Sequence, residues 1–244
     1  SSTASQFSSG EGDRRDILMC VSPALMGFTV SAAVGSDKFY DVALRYAGEF
    51  NGIRIAAGIG YQKSEEQGGF AGAPVPGLGA TALAGSTAAK GFAAGCVQST
   101  TDRRVDCEGL GLSASAMHVP TGLYIHGSYG KTTDNNNNLF IAALGPQATG
   151  SDDKAWFITG GINRKFHALG ATNIWGEYGK AERNIGLPAI APVAVAAAVI
   201  VPTSSEVKWF GVGIQQTIDA AALDVYLYYK HYEGDMTFGP GRSF

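Results

Sequence analysis

The chain has 244 residues, 34 of them glycine, with 18 basic and 21 acidic side chains and a net charge of −3. This balance excludes the strongly basic surface that binds nucleic acid, and an apolar fraction of 45% excludes a disordered chain. The longest apolar run, residues 189–201, contains Pro192 and is too short to cross a membrane as a helix.

The clearest predicted element is a β-hairpin near residue 50. From Tyr40 to Phe50, apolar and aromatic residues occupy the even positions, and charged or small residues occupy the odd ones. This two-residue period is typical of a strand with two different faces. Asn51-Gly52 then forms a sequence that favours a tight hairpin turn, and the alternation resumes over residues 53–62.

The same alternation recurs along the chain and predicts ten strands without a helix. They are placed at residues 16–22, 28–35, 40–50, 53–62, 110–119, 123–130, 156–163, 171–180, 209–215 and 223–230. Short turns alternate with three long segments, residues 64–109, 132–153 and 181–205, which we expect to be extracellular loops. Strands of about ten residues with long loops at one end indicate an all-β fold, a transmembrane antiparallel up-and-down β-barrel.

A soluble β-sandwich would show the same alternation. Two features favour a barrel in a bacterial outer membrane. The polar face carries small residues and isolated charges of both signs, as a water-filled lumen requires. The apolar face carries aromatic residues near the strand ends, where interfacial girdles lie: Tyr40, Phe50, Tyr61, Tyr129, Trp156 and Tyr229.

The order of the turns predicts that this single barrel domain, residues 1–244, is incomplete. If the long segments share one side, both ends of the strand series lie on that side, whereas barrel termini are expected on the side of the short turns. At least one strand is then missing at each end, and the parent barrel has at least twelve. Residues 1–10 also lack the pattern of a secretion signal.

Four segments resemble the strands of general porins from alphaproteobacterial outer membranes. They read SPALMGFTVSAAVG, DVALRYAGEFNGIRIAAGIGYQ, GLSASAMHVPTGLYIHGSYG and WFGVGIQQTIDAAALDVYLYYKHYEGD. The resemblance implies a barrel of about sixteen strands, a homotrimer in contact with outer-membrane lipid and lipopolysaccharide, and passive passage of ions and small hydrophilic solutes. One departure is apolar Ile17, Met19 and Val21, where such porins place charged lumen residues.

Side chains on the polar face are the candidates for a pore lining, because fixed charges in a water-filled passage favour polar solutes. Arg45 and Arg54 flank one hairpin and are expected to form a basic patch. The alternative is that such charges only pair across neighbouring strands. The candidates are Asp41, Arg45, Glu49, Arg54, His126, Lys165, Glu177, Asp224 and Lys230.

No motif predicts a cofactor, a metal site or a catalytic group. The four histidines have no metal-ligand spacing, and residues 134–138 are interpreted as a solvated loop tip. The glycine pattern at residues 77–82 follows a loop and not a strand, so it does not indicate a dinucleotide site. We therefore expect that the chain is not an enzyme.

The three cysteines leave two interpretations open. Cys96 and Cys107 are eleven positions apart and are expected to form a loop disulfide, which implies an oxidising compartment. The alternative is two free thiols. Cys20 falls in a predicted strand and is interpreted as a small apolar residue.

Two other functions compete with a diffusion porin. A barrel-embedded enzyme would need a nucleophile or an activated water near one rim. A non-transporting barrel would act in adhesion or structure through its long loops. The apolar run at residues 189–201 is expected to make a buried loop contact, for instance with a neighbouring protomer.

Overall fold

A computed structural model describes residues 16–35, 38–67, 104–135, 152–183, 202–238 and 242–243. These residues form eleven β-strands and one turn of 3-10 helix, Asp219–Ala221. The strands are β1 (Ile17–Val21), β2 (Phe28–Gly35), β3 (Phe39–Phe50), β4 (Ile53–Gln67), β5 (Arg104–His118), β6 (Leu123–Asp134), β7 (Asp152–His167), β8 (Gly170–Arg183), β9 (Pro202–Ile218), β10 (Leu223–Phe238) and β11 (Arg242–Ser243).

All eleven strands belong to one sheet, in which each strand pairs antiparallel with the next one along the chain. The ten predicted strands are therefore confirmed in an up-and-down order. The two-residue β11, which pairs with the end of β10, was not predicted. The strand order is linear, so that β1 and β11 lie at the two edges of the described sheet.

The hairpin between β3 and β4 has the predicted two-residue turn. Asn51 has a φ of 48° and Gly52 a φ of 73°. Positive φ at both positions defines the turn type whose twist matches that of the flanking strands. This turn aligns Glu49 with Arg54 and Leu44 with Ile59.

The register keeps like residues on the same face from strand to strand. Val42 lies opposite Tyr61, and Leu110 on β5 is the next partner of Tyr61. We call the side that carries these residues the apolar face and the opposite side the polar face. Strand β1 is an exception, because Ile17, Met19 and Val21 point to the polar side.

The sheet forms a single layer with almost no interior. Among the described residues only Ala33, Cys107 and Ala155 are buried apolar residues. Large side chains of the apolar face remain open: Ile55 is 42% exposed and Ile158 is 44% exposed. A sandwich would bury these side chains between two sheets, so the structure excludes that alternative.

Most strands extend beyond their predicted ends into the three long segments. Strand β4 runs to Gln67, β5 begins at Arg104 and β9 begins at Pro202. The apolar alternation stops before these positions, but cross-strand ion pairs continue the pairing, as between Lys63 and Glu108 at 3.3 Å. The alternation of apolar residues therefore predicted the membrane part of each strand and missed its polar extension.

Several predictions concern residues outside the described ranges. Cys107 is buried and disulfide-bonded, whereas Cys20 is a free, exposed thiol. Cys96, the predicted partner of Cys107, lies outside the described residues. So do residues 77–82, residues 136–138 and the apolar run at residues 189–201. Within the described part of the chain, no helix has the length and apolar character needed to cross a membrane.

Candidate functional site

The apolar face carries three parallel zones. Its middle is a band of exposed aliphatic side chains such as Leu44, Ile59 and Ile158. Towards the long segments this band ends at an aromatic girdle, consisting of Tyr40, Tyr61, Tyr129, Trp156, Tyr178, Phe210 and Tyr229. Neighbouring girdle rings contact one another, with centroids 5.6 Å apart for Trp156–Tyr178 and 6.1 Å apart for Tyr40–Tyr61.

Beyond the girdle lies a charge ladder on the same face. In five strands, β4, β6, β7, β8 and β9, a lysine stands two positions from a girdle residue, on the side away from the apolar band. The ladder comprises Lys63, Glu65, Asp106, Glu108, Lys131, Asp152, Lys154, Lys180, Glu182, Glu206 and Lys208.

Carboxylates of the ladder bridge lysines that lie directly opposite each other. Lys180 and Lys208 are a cross-strand pair, and Glu206 accepts both at 2.8 and 2.7 Å. Hydrogen bonds from Lys180 and Lys208 hold the pKa of Glu206 below its ordinary value. These lysines lie outside the membrane-spanning part of the strands, since they follow the girdle.

The apolar band, the girdle and the ladder reproduce the surface of a protein in a bilayer. An exposed apolar band flanked by aromatic residues is the lipid-facing surface of outer-membrane barrels, and lysines beyond the aromatic belt reach the head groups. A soluble protein would not leave a band of this extent uncovered. The sheet is therefore that of an outer-membrane β-barrel protein, located in the outer membrane of a bacterium.

The polar face borders an open hollow of about 700 Å³. Residues from six consecutive strands, β3 to β8, line this hollow. Within it the Tyr124 hydroxyl donates a hydrogen bond to Asn173 at 3.0 Å, and His126 contacts the Phe157 ring with centroids 5.4 Å apart. Its polar lining residues are Glu49, Arg54, Ser115, Tyr124, His126, Asn163 and Asn173.

The register places eight of the nine predicted pore-lining residues on the polar face within regularly paired strands. These are Asp41, Arg45, Glu49, Arg54, His126, Glu177, Asp224 and Lys230. Lys165 lies beyond a register shift in β7, and its ammonium group pairs with Asp219 at 2.6 Å in the turn before β10. Lys165 thus links two short turns at one end of the sheet.

The charged side chains on β3 and β4 differ in whether they have an ion-pair partner. The Arg54 guanidinium donates to Glu49 at 2.8 Å, and both side chains remain about half exposed or more. Arg45 lies opposite Gly58. Within the described ranges, neither Arg45 nor Asp41 has an ion-pair partner. Cross-strand pairing, the alternative considered for these residues, therefore applies to Arg54.

The charges on β8 and β10 are enclosed by aromatic rings. The Lys230 ammonium contacts Glu177 at 2.7 Å and lies 5.1 Å from the centre of the Trp209 ring and 5.2 Å from that of Tyr232. Asp224, nearer the turn, accepts a hydrogen bond from Thr217 at 2.6 Å. Glu177 and Lys230 are therefore paired, and Asp224 is held by a hydrogen bond.

The sequence analysis missed the aromatic residues of the polar face. Trp175, Trp209, Tyr226, Tyr228 and Tyr232 share this side with Glu177 and Lys230. The sequence does contain this signal, because each of these residues occupies a strand position that alternation assigns to the polar face. The predicted pore lining included only charged residues and His126, and therefore left these rings out.

The described residues contain no group of three or more His, Cys, Asp or Glu side chains that could hold a metal ion. On the polar face of the described strands, ionisable residues instead form pairs: Glu49–Arg54 joins the neighbouring strands β3 and β4, and Glu177–Lys230 joins β8 and β10 across Gly211 of β9.

The chain matches no protein-family model and no curated protein. Two solved structures of similar fold are outer-membrane proteins of Vibrio cholerae. One is a loop L8 deletion mutant of OmpT, with 15% identity, a TM-score of 0.49 and coverage of 90% of this chain. The other is OmpT itself, with 14% identity, a TM-score of 0.48 and coverage of 95%. The chain spans 58% and 57% of their respective lengths.

The prediction that the chain is not an enzyme is wrong as an exclusion. It depended on the lack of a catalytic motif, and a fold shared with other outer-membrane proteins leaves enzymatic activity open. A shared fold does not decide between a channel and an enzyme. What the architecture establishes is the coarser statement, an antiparallel up-and-down sheet of an outer-membrane β-barrel.

Proposed function

We propose that the chain forms the wall of an outer-membrane porin, a water-filled channel for passive diffusion of ions and small hydrophilic solutes. One observation carries this proposal. The sheet is a single layer whose apolar face is exposed on one side, while its other face carries charged and hydrogen-bonded side chains such as Glu49, Arg54 and Tyr124. A wall with lipid on one side and water on the other requires this arrangement.

The charges of the polar face support diffusion of charged and polar solutes. Arg45 and Asp41 lie on the same face of β3, and Glu49 and Arg54 remain open to solvent. Fixed charges of both signs on a pore wall set ion selectivity without binding a solute tightly. Such a lining favours weak selectivity over exclusion of one class of ion.

The proposed partners on the lipid side are outer-membrane lipid and lipopolysaccharide. The charge ladder lies just beyond the girdle, at the level of the head groups, and points outward. The ladder has five lysines and six carboxylates and therefore no net positive charge, so lysines such as Lys131, Lys154 and Lys180 would contact anionic groups of the membrane surface one by one.

The resemblance to general porins supports a homotrimer as the assembly and further strands as the means of closing the barrel. The linear strand order, with β1 and β11 as edges, leaves room for such strands. The porin function of the whole protein rests on this closure.

Conductance in planar lipid bilayers tests the proposal. The full-length protein should produce stepwise, long-lived current increases in potassium chloride, with weak ion selectivity. A double variant of the polar face, Arg45→Gln with Asp41→Asn, should retain the steps and alter their size. Absence of any conductance from correctly folded protein would overturn the proposal. Hydrolysis of peptide and phospholipid substrates should be measured on the same preparation, because the fold admits an enzyme.

A further inference from the structure

Three aromatic side chains on the polar face cover glycines of neighbouring strands. The Trp175 indole covers Gly213, and the Trp209 indole covers Gly179. The Tyr228 hydroxyl end covers Gly211, where a Cβ atom would lie 2.8 Å from the oxygen. The two indole rings and the Tyr228 hydroxyl therefore lie close to the backbone, because glycine leaves space that any other side chain would fill. We call Trp175, Trp209 and Tyr228 the aromatic platform.

Two rings of the platform, Trp175 and Tyr228, contact each other above β9. Trp175 and Tyr228 approach Gly213 and Gly211 of β9 from the strands on either side, β8 and β10. Their planes are inclined by only 22°, with centroids 6.0 Å apart. Tyr228 is 39% exposed, and both tryptophans are partly exposed. Trp175 and Tyr228 therefore leave part of their surface open on the side of the proposed channel, whereas the Lys230 ammonium lies over the Trp209 ring.

A paired acid and base lie at the edge of the platform. Glu177 contacts Lys230 at 2.7 Å, and the Lys230 ammonium lies over the Trp209 ring. The Glu177 Cγ atom is close to Gly211, beneath Tyr228. The pair has no net charge, yet the carboxylate offers lone pairs as acceptors and the ammonium offers N–H donors.

We propose that the aromatic platform is a binding subsite for neutral carbohydrates. A pyranose ring presents C–H groups on its faces and hydroxyl groups around its rim. Flat aromatic rings suit the apolar faces, and a donor–acceptor pair at the edge suits the hydroxyls. A flat aromatic solute without hydroxyls would leave the Glu177–Lys230 pair unused. An ion gains little there, because the two charges cancel.

The subsite rests on the proposed channel function and names its solute class. Short neutral oligosaccharides would bind weakly as they pass, since stacking on rings without enclosure gives modest affinity. A weak subsite in a diffusion path raises the local solute concentration without stopping its release.

The experiment uses maltohexaose on full-length protein in planar bilayers, with a polyethylene glycol of similar mass as the size control. Maltohexaose should interrupt the ionic current at concentrations at which polyethylene glycol has no effect. The variants Trp175→Ala, Trp209→Ala and Tyr228→Ala should each raise the half-blocking concentration about tenfold. Trp175→Phe, which keeps a flat ring, should retain most of the block. Trp156→Ala, on the apolar face, is the matched control and should leave it unchanged.

A second measurement separates this inference from the channel function. The chain has three tryptophans, of which Trp175 and Trp209 belong to the platform. In a Trp156→Phe background, maltohexaose should change the intrinsic fluorescence of protein in detergent, whether or not channels form. Conductance without a specific maltohexaose block and without a fluorescence change overturns the subsite alone. A fluorescence change in protein that never conducts overturns the channel and keeps the subsite.

Discussion

The polar face has two regions that differ, which we call the β3–β4 wall and the β8–β10 wall. In both, alternate residues of each strand point to the polar face, but the surfaces that they form are not alike. On β3–β4, Arg54 and Glu49 form a pair that is 62% and 49% exposed, and Arg45 is unpaired among the described residues. On β8–β10, Lys230 and Glu177 are 23% and 19% exposed and adjoin aromatic rings. The position within a strand decides which charges lie on the polar face, whereas the neighbouring strands decide whether a charge is exposed or is paired beside aromatic rings.

The largest expected difference between the two walls is in stability. Glu177→Gln leaves the Lys230 ammonium partly buried between Trp209 and Tyr232 without its counter-charge, and we expect a loss of about 3 kcal/mol in the free energy of unfolding. Glu49→Gln removes the partner of an exposed pair and should cost less than about 1 kcal/mol. Urea unfolding in lipid vesicles measures both.

The double variant Glu177→Gln with Lys230→Met is the control for this pair. It removes both charges and should recover most of the lost stability, because no unpaired charge remains. Equal losses for the two single variants would contradict the difference between the walls.

The two walls also differ in how closely other side chains pack against their glycines. Gly213→Ala adds a Cβ atom that would clash with the Trp175 indole, so the ring must shift, at a cost of about 2 kcal/mol. Gly58→Ala on the β3–β4 wall meets nothing closer than 3.7 Å and should change stability by less than about 0.5 kcal/mol. The same urea titration measures both effects, and a large loss for Gly58→Ala would show that this wall is as tightly packed as the other.

Ion selectivity should respond to one wall only. Arg45→Gln removes an unpaired positive charge, so the reversal potential should shift towards cation selectivity, by an amount that falls with salt because of screening. The neutral double variant Glu177→Gln with Lys230→Met should leave the reversal potential unchanged. Planar-bilayer recordings under a salt gradient measure both, and a shift in the double variant alone would reverse the assignment of the two walls.

The smallest expected effect is a pH dependence of stability, which comes from the charge ladder. The pKa of Glu206 is lowered by hydrogen bonds from Lys180 and Lys208, so its ion pairs stabilise the fold at neutral pH. This contribution is lost as the pH falls below the ordinary glutamate pKa of about 4 and through the lowered value. The urea midpoint should decline between about pH 5 and about pH 3, and Glu206→Gln should show a flatter decline.

The strands and their faces could be predicted from the sequence because a single-layer wall requires alternation at nearly every position. Tyr40–Phe50 and its hairpin partner followed this rule closely, and the Asn51-Gly52 turn set their register. The polar strand extensions escaped prediction, since their pairing depends on ions on separate strands, such as Lys180 and Glu206.

The sequence predicted which charged residues lie on the polar face, but not which of them are paired. Arg45 and Arg54 look alike as residues on one hairpin, and only the register shows that Glu49 pairs with Arg54. The platform depends on glycines of β8 and β9 lying beneath rings from neighbouring strands. That coincidence of positions appears only when the strands are aligned.

Site-directed spin labelling in lipid vesicles tests the central claim most directly, namely that the apolar face meets lipid and the polar face meets water. Labels at Leu44 and Ile59 should be accessible to dissolved oxygen, and labels at Ala43 and Gly58 to a water-soluble nickel chelate, in a Cys20→Ser background. Alternation of the two accessibilities along β3 and β4 is the predicted result. Uniform accessibility, or shielding of Leu44 and Ile59 from both reagents, would contradict the account.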